Sequence, residues 1–154
     1  MAEITIKQAE GFRAAVIKGQ GPYDKVGPLF EELSEWLKKR GIEPSGPSFG
    51  IYYDDPEKTP PEKCRYEIGF PIEKEIEGDQ RVEIKTYSPV EVASIIHQGP
   101  YSNIGEKWGK AHHWIKEKGY EWAGPGREVY IKCPETVSSE EELLTEIQIP
   151  IKRV

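Results

Sequence analysis

The chain is poor in the residues from which most redox, metal and nucleophilic sites are made. Its 154 residues include two cysteines, one methionine and three histidines. Cys64 and Cys133 lie far apart with no Cys-x-x-Cys spacing, so the expectation is two reduced, buried thiols and no disulfide framework. His97, His112 and His113 have no acidic or cysteine neighbour at metal-ligand spacing, and adjacent histidines on a helix point about 100° apart. They read as surface or half-buried side chains. No metal and no cofactor is expected.

Long apolar runs are missing as well. Nothing reaches membrane-spanning length, and the opening Met-Ala-Glu-Ile has no apolar signal region, which gives the expectation of a cytoplasmic protein without membrane contact. Positive charge is sparse, with 21 Lys and Arg against 27 Asp and Glu and a net charge of −6. The longest basic run, Lys38-Lys39-Arg40, ends a predicted helix, where cations complement the helix dipole. Direct nucleic-acid binding is not expected from such a balance. Gly-Gln-Gly-Pro-Tyr lacks the Lys-Ser/Thr of a phosphate loop, and no Gly-x-Ser-x-Gly element is present.

What the sequence does contain is a repeat. Gly21-Pro22-Tyr23 recurs as Gly99-Pro100-Tyr101, an offset of 78, and the same register carries Ile6-Lys7 onto Ile84-Lys85, Trp36 onto Trp114, Gly41 onto Gly119 and Tyr52 onto Tyr130. After one inserted residue Glu67 falls on Glu146 and Pro71 on Pro150. The chain therefore reads as one domain, 1–154, built from two βαββ units, about 4–72 and 82–151. The fold class is α+β: antiparallel sheets, one main helix per unit, pseudo-twofold symmetry and a central cleft.

In each copy the expected strands are Glu3–Lys7 and Phe12–Lys18, or Arg81–Thr86 and Glu91–His97. Asp24 and Ser102 are expected helix N-caps, and Gly41 and Gly119 expected C′ glycines. The first helix carries Val26, Leu29, Phe30, Leu33, Trp36 and Leu37 in an i, i+3, i+4 stripe, matched by Ile104, Trp108, Ala111, Trp114 and Ile115. Ser48–Tyr53 and Arg127–Lys132, then Arg65–Phe70 and Leu144–Ile149, complete the strands.

Positions at which the copies differ are the better functional candidates. Glu128 replaces Gly50 inside a strand, and alternation places Val129 and Ile131 on the helix-covered face, leaving Glu128 and Tyr130 on the other, toward the cleft. Tyr52 presents a second tyrosine from the first copy. A carboxylate among tyrosines suits a cationic aromatic ligand. Trp122 sits in the loop before that strand as a cleft wall, Trp108 on the helix stripe is chiefly core, and Glu146 neighbours Glu128 through its strand. Tyr101 is the further aromatic that could orient a ligand.

The doubled Gly-Pro-Tyr, Gly50-Ile51-Tyr52-Tyr53-Asp54-Asp55-Pro56, Arg127-Glu128-Val129-Tyr130-Ile131 with Pro134, and the ending Leu144-Thr145-Glu146-Ile147 through Ile151 resemble the GyrI-like small-molecule-binding domain, the effector-binding domain of AraC-type and MerR-type multidrug-responsive regulators. The resemblance covers nearly the whole chain. It implies a cleft for bulky, often cationic aromatic compounds, with Glu128 and Tyr130 at the family's cleft-facing Glu-x-Tyr position. With no helix-turn-helix segment before Ile4 or after Val154, a stand-alone member is expected. The function expected is small-molecule binding. The alternatives are a hydrolase of cyclopropane-bearing DNA-alkylating compounds, with Glu128 as general base and Tyr130 orienting substrate, and a protein-docking module with a partner such as DNA gyrase.

Overall fold

The computed structural model describes residues 4–54, 58–134 and 136–154. Glu3, the Asp55-Pro56 pair and Glu135 lie outside the described residues. In chain order the elements are β1 (Ile4–Ala9), β2 (Phe12–Gln20), α1 (Gly27–Lys39), β3 (Phe49–Tyr52), β4 (Arg65–Pro71), β5 (Glu83–Tyr87), β6 (Val90–Gln98), α2 (Ile104–Glu117), β7 (Tyr120–Trp122), β8 (Gly126–Lys132) and β9 (Leu144–Arg153). Every expected strand is present, the class is α+β, and the strand pairings described are antiparallel.

The chain divides into two compact units, residues 10–88 and residues 1–9 with 89–154. In the first, the strand order is β3-β4-β2-β5; in the second it is β1-β6-β9-β8, with β7 on the far end of β9. The units are not the two sequence repeats. The outer strand of each belongs to the other repeat: β1 pairs with β6 from Ile4↔Ile95 to Ala9↔Val90, and β5 pairs with β2 from Phe12↔Tyr87 to Val16↔Glu83.

Each helix covers one face of its own sheet. Leu33 and Leu37 of α1 bury against Ala15, Ile17, Tyr66 and Ile68. Ala111 and Ile115 of α2 bury against Ala93, Ile95, Ile147, Ile149 and Ile151. The α1 stripe ends in a Schellman closure, with the Ile42 amide donating to the Leu37 carbonyl at 3.0 Å and Gly41 to Lys38 at 3.1 Å. Gly41 (φ 68°) and Gly119 (φ 81°) take the left-handed conformation this closure needs.

The N-termini differ from expectation. Asp24 and Ser102 lie inside one-turn 3₁₀ helices, Tyr23–Lys25 and Tyr101–Asn103, and the cap positions are Val26 and Asn103, without side-chain cap bonds. The prolines force this: Pro22 and Pro100 offer carbonyls that close the turns onto Lys25 and Asn103, which delays the α-helix by a turn. The segment 120–122, a loop by its sequence, is β7. It pairs with β9 only because β9 runs on past Pro150 to Arg153. Of the cysteines, Cys64 is buried, Cys133 only partly so, and both are free.

On the sheet face away from each helix lies a buried glutamate, and the exchanged strand brings it a lysine. Glu67 is fully buried and accepts from Lys85 at 3.0 and 3.1 Å, from Tyr53 at 3.1 Å and from Tyr87. Glu146 accepts from Lys7 at 2.5 Å and Ser94 at 2.6 Å. Burial pushes the Glu146 carboxyl upward, but the bonds from Lys7, Ser94 and Gln148 outweigh it and hold it below its ordinary value. Its contribution to stability is thus present above the unfolded pKa and is lost as pH falls through the depressed one. Removing one lysine tests the arrangement. Lys85→Met leaves Glu67 with tyrosine donors alone and should cost about 2–4 kcal/mol of unfolding free energy in urea titration. A loss below about 0.5 kcal/mol would show that the pair holds nothing together.

Candidate ligand-binding site

The repeat offset places Glu128 where the first copy has Gly50, and the structure shows why only one copy can carry a carboxylate there. A Cβ on Gly50 would stand 2.6 Å from the Tyr52 hydroxyl, because the Tyr52 ring folds back over the glycine. In β8 the equivalent tyrosine gives way and bonds instead: the Tyr130 hydroxyl donates to Glu128 Oε1 at 2.9 Å. The Trp108 indole N–H, from α2, donates to Oε2 at 2.7 Å. Both carboxylate oxygens are thereby fixed by neutral donors.

These bonds correct the face assignment. Glu128 pairs across the sheet with Ile147, a core residue beneath α2, so Glu128 and Tyr130 stand on the helix side. Val129 shares the opposite face with its partner Glu146, and Ile131 is 45% exposed. Alternation was right in period and wrong in sign. The helix meets β8 with an indole, whose N–H needs an acceptor, where an aliphatic side chain would have favoured an apolar strand residue.

Around Glu128 the aromatics close in. The far edge of the Trp108 ring lies over Gly126, where an added Cβ would come within 2.5 Å of it. Its indole is 6.3 Å from that of Trp122 on β7, which also meets the exposed His112 at 5.8 Å. Tyr101 stands edge-on to Tyr130 at 5.8 Å. Burial pushes the Glu128 carboxyl above its ordinary value, opposed only in part by the Trp108 and Tyr130 bonds and by nearby His97. The Tyr101 hydroxyl is pushed up to about 12, mainly by burial and further by the charges of Cys133 and Glu128.

Of the expected site residues, the fold gathers Glu128, Tyr130, Trp108, Tyr101 and Trp122. It does not bring Glu146 to them, since that side chain faces the other side of β9. Tyr52 belongs to the other unit, where it packs against Tyr23 at 4.7 Å. His97, which reads from the sequence as surface or half-buried, is 3% exposed, its Nε2 bonded to the Pro100 carbonyl at 2.9 Å. Thr145, fully buried on β9 and paired with both Tyr130 and His97, was missed. The readable signal was again the repeat, which sets Thr145 against Tyr66 and His97 against Gly19. Among the described residues no cluster of His, Cys, Asp and Glu could hold a metal ion, and no helix is long and apolar enough to cross a membrane.

A chain of two such halves, with a carboxylate among aromatics in one of them, has the features of a small-molecule-binding domain. The family model of the GyrI-like small molecule binding domain matches residues 2–152, and the chain belongs to that family. It is 25% identical over 117 residues, covering 75% of this chain and 78% of the relative, to YosT, an SPbeta prophage-derived protein of Bacillus subtilis (strain 168) named for a proposed role in transcriptional regulation. The crystal structure of the EcmrR C-terminal domain has the same fold, with a TM-score of 0.91 at 18% identity over 100% of this chain and 99% of that one. The chain spans 58% of the EcmrR chain in its DNA complex, again with a TM-score of 0.91, at 17% identity over 99% of this chain. SAV2435, solved with tetraphenylphosphonium bound, has a TM-score of 0.68 at 15% identity, over 97% of this chain and 94% of its own.

The raised Glu128 carboxyl has a consequence for stability. A glutamate with an elevated folded pKa costs stability as pH rises from the unfolded value through the folded one. Glu128→Gln should therefore leave the melting temperature of the ligand-free protein at pH 7 equal to or above that of wild type. The difference should close in acid, where Glu128 is protonated. Calorimetry showing a less stable variant at pH 7 would mean that the two bonds, and not burial, dominate.

Proposed function

We propose that this protein binds bulky lipophilic cations at the Glu128 site, with the charge met by the carboxylate and the hydrocarbon by Trp108, Trp122, Tyr101 and Tyr130. One observation carries the reading. Glu67 and Glu146 each have a lysine, whereas among the described residues no lysine or arginine reaches Glu128. A carboxylate packed into aromatics without a cation is a poor arrangement for stability and a good one for capturing a cation from outside. The aromatic faces add cation–π attraction. The bound tetraphenylphosphonium of SAV2435 is a ligand of this class.

Isothermal titration with tetraphenylphosphonium and with neutral triphenylphosphine oxide tests the charge pairing. Glu128→Gln should weaken the cation by about tenfold or more, corresponding to about 1.4 kcal/mol, and the neutral compound by much less. Equal losses for both would sink the proposal.

A second reading takes the raised Glu128 as general base toward water attacking a strained ring, with Tyr130 or Tyr101 orienting the substrate. The bonds to both carboxylate oxygens favour a fixed counter-charge over a proton shuttle, so binding ranks first. Catalytic amounts of protein incubated with a cyclopropane-bearing alkylator should give no accumulating hydrolysis product beyond one equivalent. Multiple turnovers abolished by Glu128→Gln would reverse the ranking.

A further inference from the structure

Next to Glu128, across three strands, runs a row of side chains on the helix face: Tyr130 on β8, Thr145 on β9 and His97 on β6, each the cross-strand partner of the next. Neighbours in such a row stand about 5 Å apart. The equivalent row in the first copy is Tyr52, Tyr66 and Gly19. There the Tyr66 ring fills the space over the glycine so fully that an added Cβ would come within 2.5 Å of its hydroxyl. The second copy has moved the bulk from the middle of the row to its end and made it polar. Together with Gly50 against Glu128, three positions on one face differ between the copies: two glycines and a tyrosine in the first stand against His97, Glu128 and Thr145 in the second.

Two of those groups are left unused. His97 Nδ1 and Thr145 Oγ1 are both buried without a hydrogen-bond partner among the described residues. The tautomer of His97 follows from its other nitrogen: the Pro100 carbonyl can only accept, so Nε2 carries the proton and Nδ1 of the neutral ring presents a lone pair. A buried acceptor left unpaired is costly, and native proteins seldom keep two side by side without a use. The turn that carries Pro100 also carries Tyr101, which is 37% exposed and leans on Tyr130.

We propose that His97 Nδ1 and Thr145 Oγ1 extend the Glu128 site into a hydrogen-bonding cradle that selects cations bearing N–H groups, protonated amines above fully substituted ammonium or phosphonium ions. The carboxylate supplies the charge. The imidazole lone pair and the threonine hydroxyl accept N–H bonds that a quaternary ion does not have. The inference rests on the cation-binding reading and adds a selectivity to it.

Calorimetric titration of the wild-type protein with 4-phenylbenzylammonium and with its N,N,N-trimethyl derivative provides the test, as the two share a hydrocarbon body and a charge. The primary ammonium should bind about tenfold tighter, the size expected when a hydrogen bond to a charged group is gained or lost. Thr145→Val, which keeps the side-chain shape, and His97→Phe, which keeps a ring, should each collapse that ratio toward one while the trimethyl compound binds as before. Thermal melts check that each variant is folded, and Thr145→Val alone suffices if His97→Phe is not. A wild-type ratio near one, or a ratio unchanged in the folded variants, overturns the cradle and leaves cation binding standing. Binding of both probes that is indifferent to Glu128→Gln, or absent, overturns the cation reading and the cradle with it.

Discussion

A carboxylate taken out of water must be given something in return, and the three partly or wholly buried strand glutamates show how differently that can be done. Glu67 and Glu146 receive lysines from β5 and β1, the strands each sheet takes from the other repeat. Those pairs tie strand exchange to electrostatics: an outer strand that failed to add would leave a buried charge alone, at a cost of several kcal/mol. Among the described residues Glu128 receives only an indole N–H and a phenol. Neutral donors hold its geometry without cancelling its charge, and the site is defined by that difference.

Much of this was legible in the sequence because a duplicated chain carries its own control. Gly50 against Glu128 singled out the carboxylate, and the matched Gly41 and Gly119 marked both helix ends, each with a positive φ. What strand alternation could not supply was the sign of the face. Period two tells which residues travel together, and an apolar Val129 and Ile131 make the helix side look like theirs. The decision lay with Trp108, 20 residues before Glu128 and outside any window of strand length, whose ring needs both the bare backbone of Gly126 and an acceptor. Strand exchange was equally hidden, since a strand's composition does not say which neighbour it will join. The helix caps were misplaced for a local reason, because proline closed a 3₁₀ turn around the polar residue expected to cap.

The two copies also show what it takes to keep a site from closing on itself. In the first, Tyr23, Tyr52 and Tyr66 pack edge to face over glycines, an apolar solution that leaves little to bind with. In the second, Tyr130 is held down by its bond to Glu128, Thr145 and a buried His97 take the places of Tyr66 and Gly19, and Trp108, Trp122 and Tyr101 supply the aromatic surface. Aromatic surface at the rim and polar groups beneath it is the order in which an amphiphilic cation would present itself, body against the rings and head toward the strands.

Under the proposed function the arrangement sets stability against binding, a conflict the first copy avoids. Burial raises the Glu128 carboxyl, and His97 Nδ1 and Thr145 Oγ1 add unpaired polar atoms to the same face. Each is a local departure from the rule that buried polar groups are satisfied, and all lie within one patch of three strands. Were they scattered, they would read as defects of packing. Gathered beside a carboxylate that no lysine or arginine reaches among the described residues, they form one patch whose cost a ligand with a positive, hydrogen-bearing head would lower under the proposed function.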